Sequence, residues 1–390
     1  MGAQIVVVGS GYAGAGAVTA FEKAVRDGEA ELTWISDREY HLVLHEVHRV
    51  IRNPEVASKI AIPVEEIKSD RTDFVPARVD GIDTDERRVE LEDGRAVPYD
   101  YLLLGVGSET AFYGIDGLEE HALTLKGLED ARRIHEEVTA AGKEATRADP
   151  ARVVVGGAGL SGIQAAGEIA TCRDEQRLPL EVALVEGLDE VFPGNDPEVQ
   201  RALRTRLERL GVEIFTGEFV SEVDEERVHI GGDDGTELPY DVLLWTGGIT
   251  GRDVVSGADL RKDDRSNRVY AGCDFRTSDD RVFAIGDAAL IDQNGGEYAP
   301  PTAQAAWQAA QVAGENLARA VRGEPLKTWF HEDKGTVVSV GEDAVAHDVG
   351  SLPIHTFGGT SAKLLKKAIA ARWIYTVSSA RRAVAAWGDM

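Results

Sequence analysis

Short, unbroken apolar runs that stop at glycine or at an acid set the pattern of this chain. They include Ile5 to Val8, Leu102 to Leu104, Val153 to Val155, Val182 to Val185, Val242 to Trp245 and Val282 to Ile285. Strands covered on both faces read this way, as in a parallel sheet flanked by helices. Between the runs lie segments with small residues at helical spacing, notably 12 to 26 and 160 to 170. Elsewhere the pattern changes to alternation. Residues 73–97, with a turn at Glu92-Asp93-Gly94-Arg95, and residues 212–240, with a turn at Asp233-Asp234-Gly235-Thr236, predict small antiparallel insertions.

The glycines after the runs carry the chemistry. Gln4 to Val8 leads directly into Gly9-Ser10-Gly11-Tyr12-Ala13-Gly14 and a helical segment, and the next strand, Glu31 to Ile35, ends in Ser36-Asp37. Glycines in this GxGxxG arrangement permit a tight turn and let the backbone approach a pyrophosphate at a helix N-terminus, with an acid further on for the ribose. The arrangement then repeats. Arg152 to Val155 is followed by Gly157-Ala158-Gly159-Leu160-Ser161-Gly162, a helix through Glu168, and a strand ending in Glu186. A later strand of each unit also ends in glycines, Gly105-Val106-Gly107 in the first and Gly247-Gly248 in the second. The expected fold is therefore α/β with two Rossmann-like dinucleotide-binding domains. Glu186 would accept hydrogen bonds from ribose hydroxyls and repel a 2′-phosphate, which predicts NADH over NADPH; the plainer alternative is a solvated acid at a strand end.

Residues 281–311 organise the rest. Val282 to Ile285 ends in Gly286-Asp287, and after a polar loop Pro300-Pro301 precede an Ala-rich helical segment from Thr302 to about Val321. The prolines are expected to set the helix start, with its positive end facing Asp287 and suited to the charge a flavin gains on reduction. Gln304 and Gln308 are four apart and share a helical face that could meet a second redox ligand. Alone, such a pair is a solvated face.

Charge narrows the partners. The 68 acidic and 42 basic residues give a net charge of −26, which argues against nucleic acid. Lysine is scarce beside arginine, 11 against 31. Such a surface suits molar salt, where repulsion is screened, so a halophilic source is expected. Cys172 and Cys273 are the two cysteines, far apart and without CxxC, which points to a reducing compartment and away from a redox-active disulfide. His41, His45 and His48 would share one face of a helix, but no carboxylate or cysteine cluster accompanies them, so no metal site is expected. Neither a signal peptide nor a bilayer-length apolar run is visible.

The tail differs from the rest. Residues 361–390 hold six basic residues (Lys363, Lys366, Lys367, Arg372, Arg381, Arg382) and one acid, Asp389, so this part carries +5 and the remainder −31. Leu364, Leu365, Ala368, Ile369 and Trp373 fall on one helical stripe, and Val377, Ala380, Val384 and Trp387 on another. Apolar stripes with tryptophan and flanking cations predict helices lying on an anionic membrane surface; packing on the protein or a homodimer interface is the alternative. Truncation after Ser361 is then expected to release the chain from membranes and leave flavin bound.

With these motifs in order, the chain resembles the two-dinucleotide flavoproteins and, more narrowly, the type II NADH dehydrogenases. The resemblance rests on Gly107-Ser108-Glu109-Thr110, Gly117 to Ala122, Gly156 to Glu168, Pro300-Pro301-Thr302-Ala303-Gln304 with Gln308, Phe330, and Asp333-Lys334-Gly335-Thr336. It implies a FAD-binding domain of residues 1–115 and 251–330, an NADH-binding domain of 116–250, and a C-terminal region of 331–390. It also implies non-covalent FAD, NADH as donor and a quinone, menaquinone being expected, at the cytoplasmic face of the membrane. By the same resemblance Asp287 would hold the FAD ribityl or phosphate end, Ala303, Gln304 and Gln308 would form the quinone site, Glu168 would lie where the substrate paths converge, and Lys334 would sit near the flavin. Three places depart from the family pattern: Gln164 stands for a glutamate, Ser36 for the ribose acid, so that Asp37 or backbone must serve, and Leu42 to Glu46 is atypical. The rivals are a sulfide:quinone oxidoreductase, which would need cysteines at the flavin, a soluble ferredoxin or rubredoxin reductase, and a flavin-binding sensor or membrane scaffold without turnover.

Overall fold

Apolar runs pair with one another because each buries both faces under helices. In a computed structural model of the chain, which describes residues 2–232, 235–350 and 355–388, they form two parallel sheets. The first orders its strands Val282–Ala284, Tyr101–Leu104, Ala3–Val8, Ala30–Ser36 and Thr72–Pro76. The second orders them Val212–Thr216, Leu180–Glu186, Ala151–Gly156 and Val242–Trp245. Each sheet carries a three-stranded antiparallel meander, Val79–Asp83 with Arg88–Leu91 and Ala96–Pro98 in one, and Val220–Val223 with Arg227–Ile230 and Thr236–Pro239 in the other. The connecting segments pair as Ser108–Thr110 against Ile249–Gly251.

Alternation misassigned the start of both insertions. Thr72–Pro76 and Val212–Thr216 are edge strands of the parallel sheets, and an edge strand with one open face alternates as a hairpin strand does. The turn at Asp233-Asp234 lies outside the described residues.

Small residues explain how the first sheet is covered. The helices Tyr12–Ala24 and Ala303–Val321 approach so closely that a Cβ on Gly16 would lie 2.7 Å from Ala310 Cβ, and one on Gly314 would lie 2.4 Å from the Ala17 carbonyl oxygen. The second of these helices begins at Ala303, not at the prolines. Thr302 is its N-cap, with Oγ1 accepting from Ala305 N at 3.1 Å.

The three histidines do not share a helix. His41 is on the short strand Tyr40–Leu42, His45 is in a 3₁₀ turn at Leu44–Glu46, and His48 precedes the helical turn Arg49–Arg52.

After a further antiparallel sheet (Thr336–Val340, Asp343–His347, Thr356–Gly358) come the helices Thr360–Val377 and Ala380–Trp387. Among the described residues no helix is long and apolar enough to cross a membrane. The two apolar stripes of the tail are divided between interior and surface. Trp373, Ile374 and Val377 are buried with Ala362, Ala370, Ala383 and Ala386, whereas Leu364, Ile369, Val384 and Trp387 are exposed. Lys366, one of the six tail cations, is also buried. The tail is thus part of the protein's interior, and its removal would open the core; the expected clean truncation is corrected on this ground. Asp389 lies outside the described residues.

Candidate functional site

A cavity of about 570 Å³ runs along the carboxyl ends of the first sheet, where open α/β sheets place their ligands. Its floor is the first glycine loop. Gly9 has φ +104°, and a Cβ there would meet the Gly105 carbonyl oxygen at 2.3 Å; one on Gly14 would meet the Gly9 carbonyl oxygen at 1.8 Å. The Trp34 indole donates to the same Gly9 oxygen at 2.9 Å. Gly11 and Gly107 instead have open space where a side chain would be. Backbone so arranged leaves room for a pyrophosphate against the amides at the start of Tyr12–Ala24. Tyr12 and Ala13 line the cavity beside Gly11, and Ser36 and Asp37 line it too, with Ser36 Oγ donating to Ser10 Oγ at 2.9 Å. Gly286, Asp287 and Ala303 also line it. The residues fit a flavin dinucleotide along this length.

Leu160, Ser161 and Gln164, from the helix after the second glycine loop, also line this cavity. In that loop Gly157 has φ +91°, and a Cβ there would lie 2.6 Å from Gly247 Cα. A Cβ on Gly162 would lie 1.8 Å from the Gly157 carbonyl oxygen, whereas Gly159 borders open space. The Glu186 carboxylate accepts from Ala158 N at 2.8 Å and Leu188 N at 3.0 Å, which holds it beside the loop. A carboxylate retains acceptor sites after two such bonds. Gly248 sits under the Tyr113 hydroxyl, which donates to the Gly247 carbonyl oxygen at 3.3 Å.

Glu168, Gln304, Gln308 and Lys334 do not line this cavity. Gln304 accepts from Lys334 N at 2.8 Å and donates to the Gly335 carbonyl oxygen at 3.2 Å. Gln308 accepts from Glu332 N at 3.1 Å and donates to the Glu332 carbonyl oxygen at 2.8 Å. Both amides therefore clamp the 332–335 segment, and neither lines the cavity. The Lys334 side chain is half exposed, 3.4 Å from Glu332. Lys126 lines the cavity, as do Arg38, Arg78 and Arg252; its ammonium donates to Ser108 Oγ at 3.2 Å, while Ser108 Oγ donates to Asp287 Oδ2 at 3.3 Å. Burial lowers its pKa, against the pull of Asp287. Glu168 is wholly buried one turn behind Gln164. Arg52 Nε lies 2.8 Å from its Oε2, yet neither carboxylate oxygen has a directed hydrogen bond, so the contact is an ion pair without alignment. Burial raises the Glu168 pKa to about 7 despite Arg52 and Arg49.

Behind Gln164 four parts of the chain meet in a buried polar cluster. Ser339 Oγ receives Lys366 Nζ at 2.7 Å and Gln164 Nε2 at 3.1 Å, and pairs with His48 Nε2 at 2.9 Å. Glu46, buried and bonded to Arg49, lies 3.7 Å from Lys366 Nζ and 3.6 Å from His45 Nε2. Burial would raise the Glu46 carboxyl, but Lys366 and Arg49 outweigh it and hold its pKa low. Burial lowers Lys366 to about 8. Reading the tail as lipid-facing missed Lys366, although its spacing to Ala362, Ala370 and Trp373 puts it on their helical face.

The family model described as pyridine nucleotide-disulphide oxidoreductase matches residues 3–310. A type II NADH:quinone oxidoreductase from Staphylococcus aureus (strain MSSA476) is 28% identical over 400 aligned positions, covering 96% of each chain, and its counterpart from strain NCTC 8325 is equally similar. Among solved structures, NDH2 from Plasmodium falciparum in complex with NADH superposes with a TM-score of 0.84 at 15% identity, over 100% of this chain and 97% of that one. A sulfide:quinone oxidoreductase from Aquifex aeolicus superposes with a TM-score of 0.79 at 18% identity, over 96% and 91%. Both superpositions speak to the fold alone.

Proposed function

The chain belongs to the pyridine nucleotide-disulphide oxidoreductase family, and we propose that within it the protein is an FAD-dependent NADH:quinone oxidoreductase. One observation carries the reading: the start of the second nucleotide helix, at Leu160, Ser161 and Gln164, forms a wall of the cavity floored by the first glycine loop. Two dinucleotides seated on their own loops would meet there. When bound, FAD would supply the redox chemistry: a hydride from NADH would be accepted, and two electrons, with two protons, would reach the quinone to give the quinol.

The chain's own groups position and tune. Gly9, Gly11, Tyr12, Ala13 and Gly14 would cradle the FAD pyrophosphate, Ser36 and Asp37 would take its ribose, and Gly107, Gly286, Asp287 and Ala303 its ribityl and ring end. Gly157, Gly159, Gly162, Gly247 and Gly248 would hold NADH, with Glu186 on the adenosine ribose. Lys126 is better placed for this site than Lys334, because it is half-buried and lines the cavity. Gln304 and Gln308 act through the 332–335 segment they hold. Glu168 acts through Arg52 and not on a reactant. The division into residues 1–115 with 251–330, 116–250 and 331–390 belongs to the same reading, as do menaquinone as acceptor, a homodimer as an arrangement of the tail, and a salt-adapted surface. A sulfide:quinone enzyme would place cysteine at the flavin, and neither Cys172 nor Cys273 lines the cavity.

The test is an anaerobic titration of the holoprotein in molar salt, following flavin absorbance. NADH is expected to bleach it and a short-chain quinone to restore it. Bleaching by sulfide with no response to NADH would replace this reading with the sulfide one.

The outward face of the tail supports a peripheral position on a membrane surface, the cytoplasmic face being part of the same reading. Leu364, Ile369, Tyr375, Val384 and Trp387 are exposed among Lys363, Arg372 and Arg381, the composition of an interfacial helix. The triple variant Leu364→Ser, Val384→Ser, Trp387→Ser is expected to lose binding to anionic vesicles and keep NADH oxidation with a water-soluble quinone. Unchanged vesicle binding would reject the membrane assignment.

A further inference from the structure

The two nucleotide units repeat each other down to single hydrogen bonds. Gly9 N donates to the Ile35 carbonyl oxygen at 2.8 Å in the first, and Gly157 N to that of Val185 at 2.8 Å in the second. After the third strand of each, Ala77 N donates to the Ser36 carbonyl oxygen at 3.0 Å, and Gly217 N to that of Glu186 at 3.1 Å. In the first unit the residues that follow, Ala77 to Asp80, line the cavity near Ser36 and Asp37. Their counterparts in the second unit are Gly217 to Val220. There the side chain at the corresponding bend is Phe219, an aromatic ring left 66% exposed.

Phe219 is seated, not loose. Its ring lies over Gly187, the residue after Glu186, so closely that a Cβ on Gly187 would be 2.3 Å from Phe219 Cδ1. Leu188, next in line, is 50% exposed, and Gly217 N also donates to its carbonyl oxygen at 2.9 Å. An apolar shelf of one ring and one aliphatic side chain thus borders the carboxylate that faces the ribose. The charged residues of these two bends, Glu186, Asp189, Glu190 and Glu218, are all acids. They suit an uncharged base beside an unphosphorylated ribose and oppose a 2′-phosphate.

We propose that Phe219, resting on Gly187, is the stacking platform for the adenine of NADH. The inference rests on the NADH reading above and adds the residue that holds the end of the nucleotide remote from the hydride. Stacking of a base on an aromatic side chain is sequence-tolerant and survives exposure to water, because the ring face needs no directed partner. Phe219 is a binding residue here and has no part in the transfer itself.

The holoenzyme with a short-chain quinone distinguishes this from a structural role by using two hydride donors, NADH and reduced nicotinamide mononucleotide, which lacks the adenosine. Phe219→Ala is expected to raise KM for NADH about tenfold, the effect of losing one base-aromatic stack, with kcat retained and KM for the mononucleotide unchanged. Phe219→Trp is expected to keep the wild-type KM. Gly187→Ala, which pushes the ring off its seat, is expected to act in the same direction as Phe219→Ala. An unchanged KM for NADH in Phe219→Ala, or an equal rise for both donors, overturns the proposal. Wild-type protein that accepts hydride from neither donor would instead refute the NADH reading itself.

Discussion

Trp373→Ala is expected to strip FAD from the purified protein and to lower its melting temperature, although residue 373 is remote in sequence from every nucleotide motif. Its indole is wholly buried and packs against Tyr12 at 4.8 Å, Trp307 at 4.5 Å and His41 at 5.5 Å between ring centroids. Its Nε1 donates to His41 Nε2 at 2.7 Å, and His41 Nδ1 is 2.8 Å from the Ser10 carbonyl oxygen. Burial lowers the His41 pKa to about 4, so the ring is neutral at working pH, with Nδ1 donating to Ser10 and Nε2 accepting from the indole. Ser10 belongs to the first glycine loop, proposed above to cradle the FAD pyrophosphate, so the tail helix props that loop through one histidine. Truncating a buried tryptophan to alanine costs about 3–5 kcal/mol through lost contacts and the cavity left behind. The orphaned His41 nitrogen adds to this. Trp373→Phe, which keeps the ring and loses the donor, is expected to fall between. The flavin-to-protein absorbance ratio and a thermal melt measure both effects. Full flavin occupancy with an unchanged melt in Trp373→Ala would show that the tail does not support the loop.

Glu168→Gln is expected to stabilise the protein above neutral pH and to do little in acid. The sign follows from linkage. The folded-state pKa is raised from 4.5 to about 7, chiefly by burial, with Arg52 opposing. Between these values the folded chain holds a proton that the unfolded chain has lost. The stabilisation is therefore complete below pH 4.5 and is lost as pH rises through about 7, beyond which the buried carboxylate carries an unfavourable balance on the order of 3 kcal/mol. An amide of the same shape removes that titration. Arg52 keeps its contacts with Glu175 at 3.1 Å and with Glu342, so it is not left unpaired by the change. Lys366 works in a neighbouring window. Burial lowers its pKa from 10.5 to about 8, so the unfolded chain binds the extra proton between these values and its contribution rises with pH there. Denaturant melts of both proteins at pH 5 and pH 8 separate the two groups, since only the Glu168 contribution disappears in Glu168→Gln. A variant that melts below wild type at pH 8 would mean that the charge of Glu168 stabilises the fold through Arg52.

Local signals located the two nucleotide loops because the physics there is local. A glycine that needs φ near +100° or that touches a neighbouring carbonyl leaves its mark at one position, as Gly9, Gly14, Gly157 and Gly162 do. The same holds for Thr302, which caps its helix directly after the two prolines credited with that role. The cavity wall was less legible. Lys126, Gln164 and His45 reach it from three separate segments, and nothing in their own neighbourhoods distinguishes them from solvated residues. Gln304 and Gln308 were rightly placed on one helical face, but what that face meets, the backbone of residues 332–335, depends on a segment that returns after the helix has ended.

The tail shows the division most clearly. Its helical period, its two apolar stripes and its charge of +5 are properties of residues 361–390 taken alone. Which stripe positions turn inward is not, because the partners of Trp373 are Tyr12, His41 and Trp307, and those of Lys366 are Ser339, His48 and Glu46. By itself the sequence determined the apolar-run strands of the two parallel sheets, though not their edge strands Thr72–Pro76 and Val212–Thr216, together with the paired glycine loops and the order in which they occur, since each follows from runs, turns and periods a few residues long. Only the tertiary structure decided that Lys126 lines the cavity, that Glu168 stands behind its wall, and that Lys366 is interior. Burial and the distance between charges set those properties, and both arise when segments hundreds of residues apart are brought into contact.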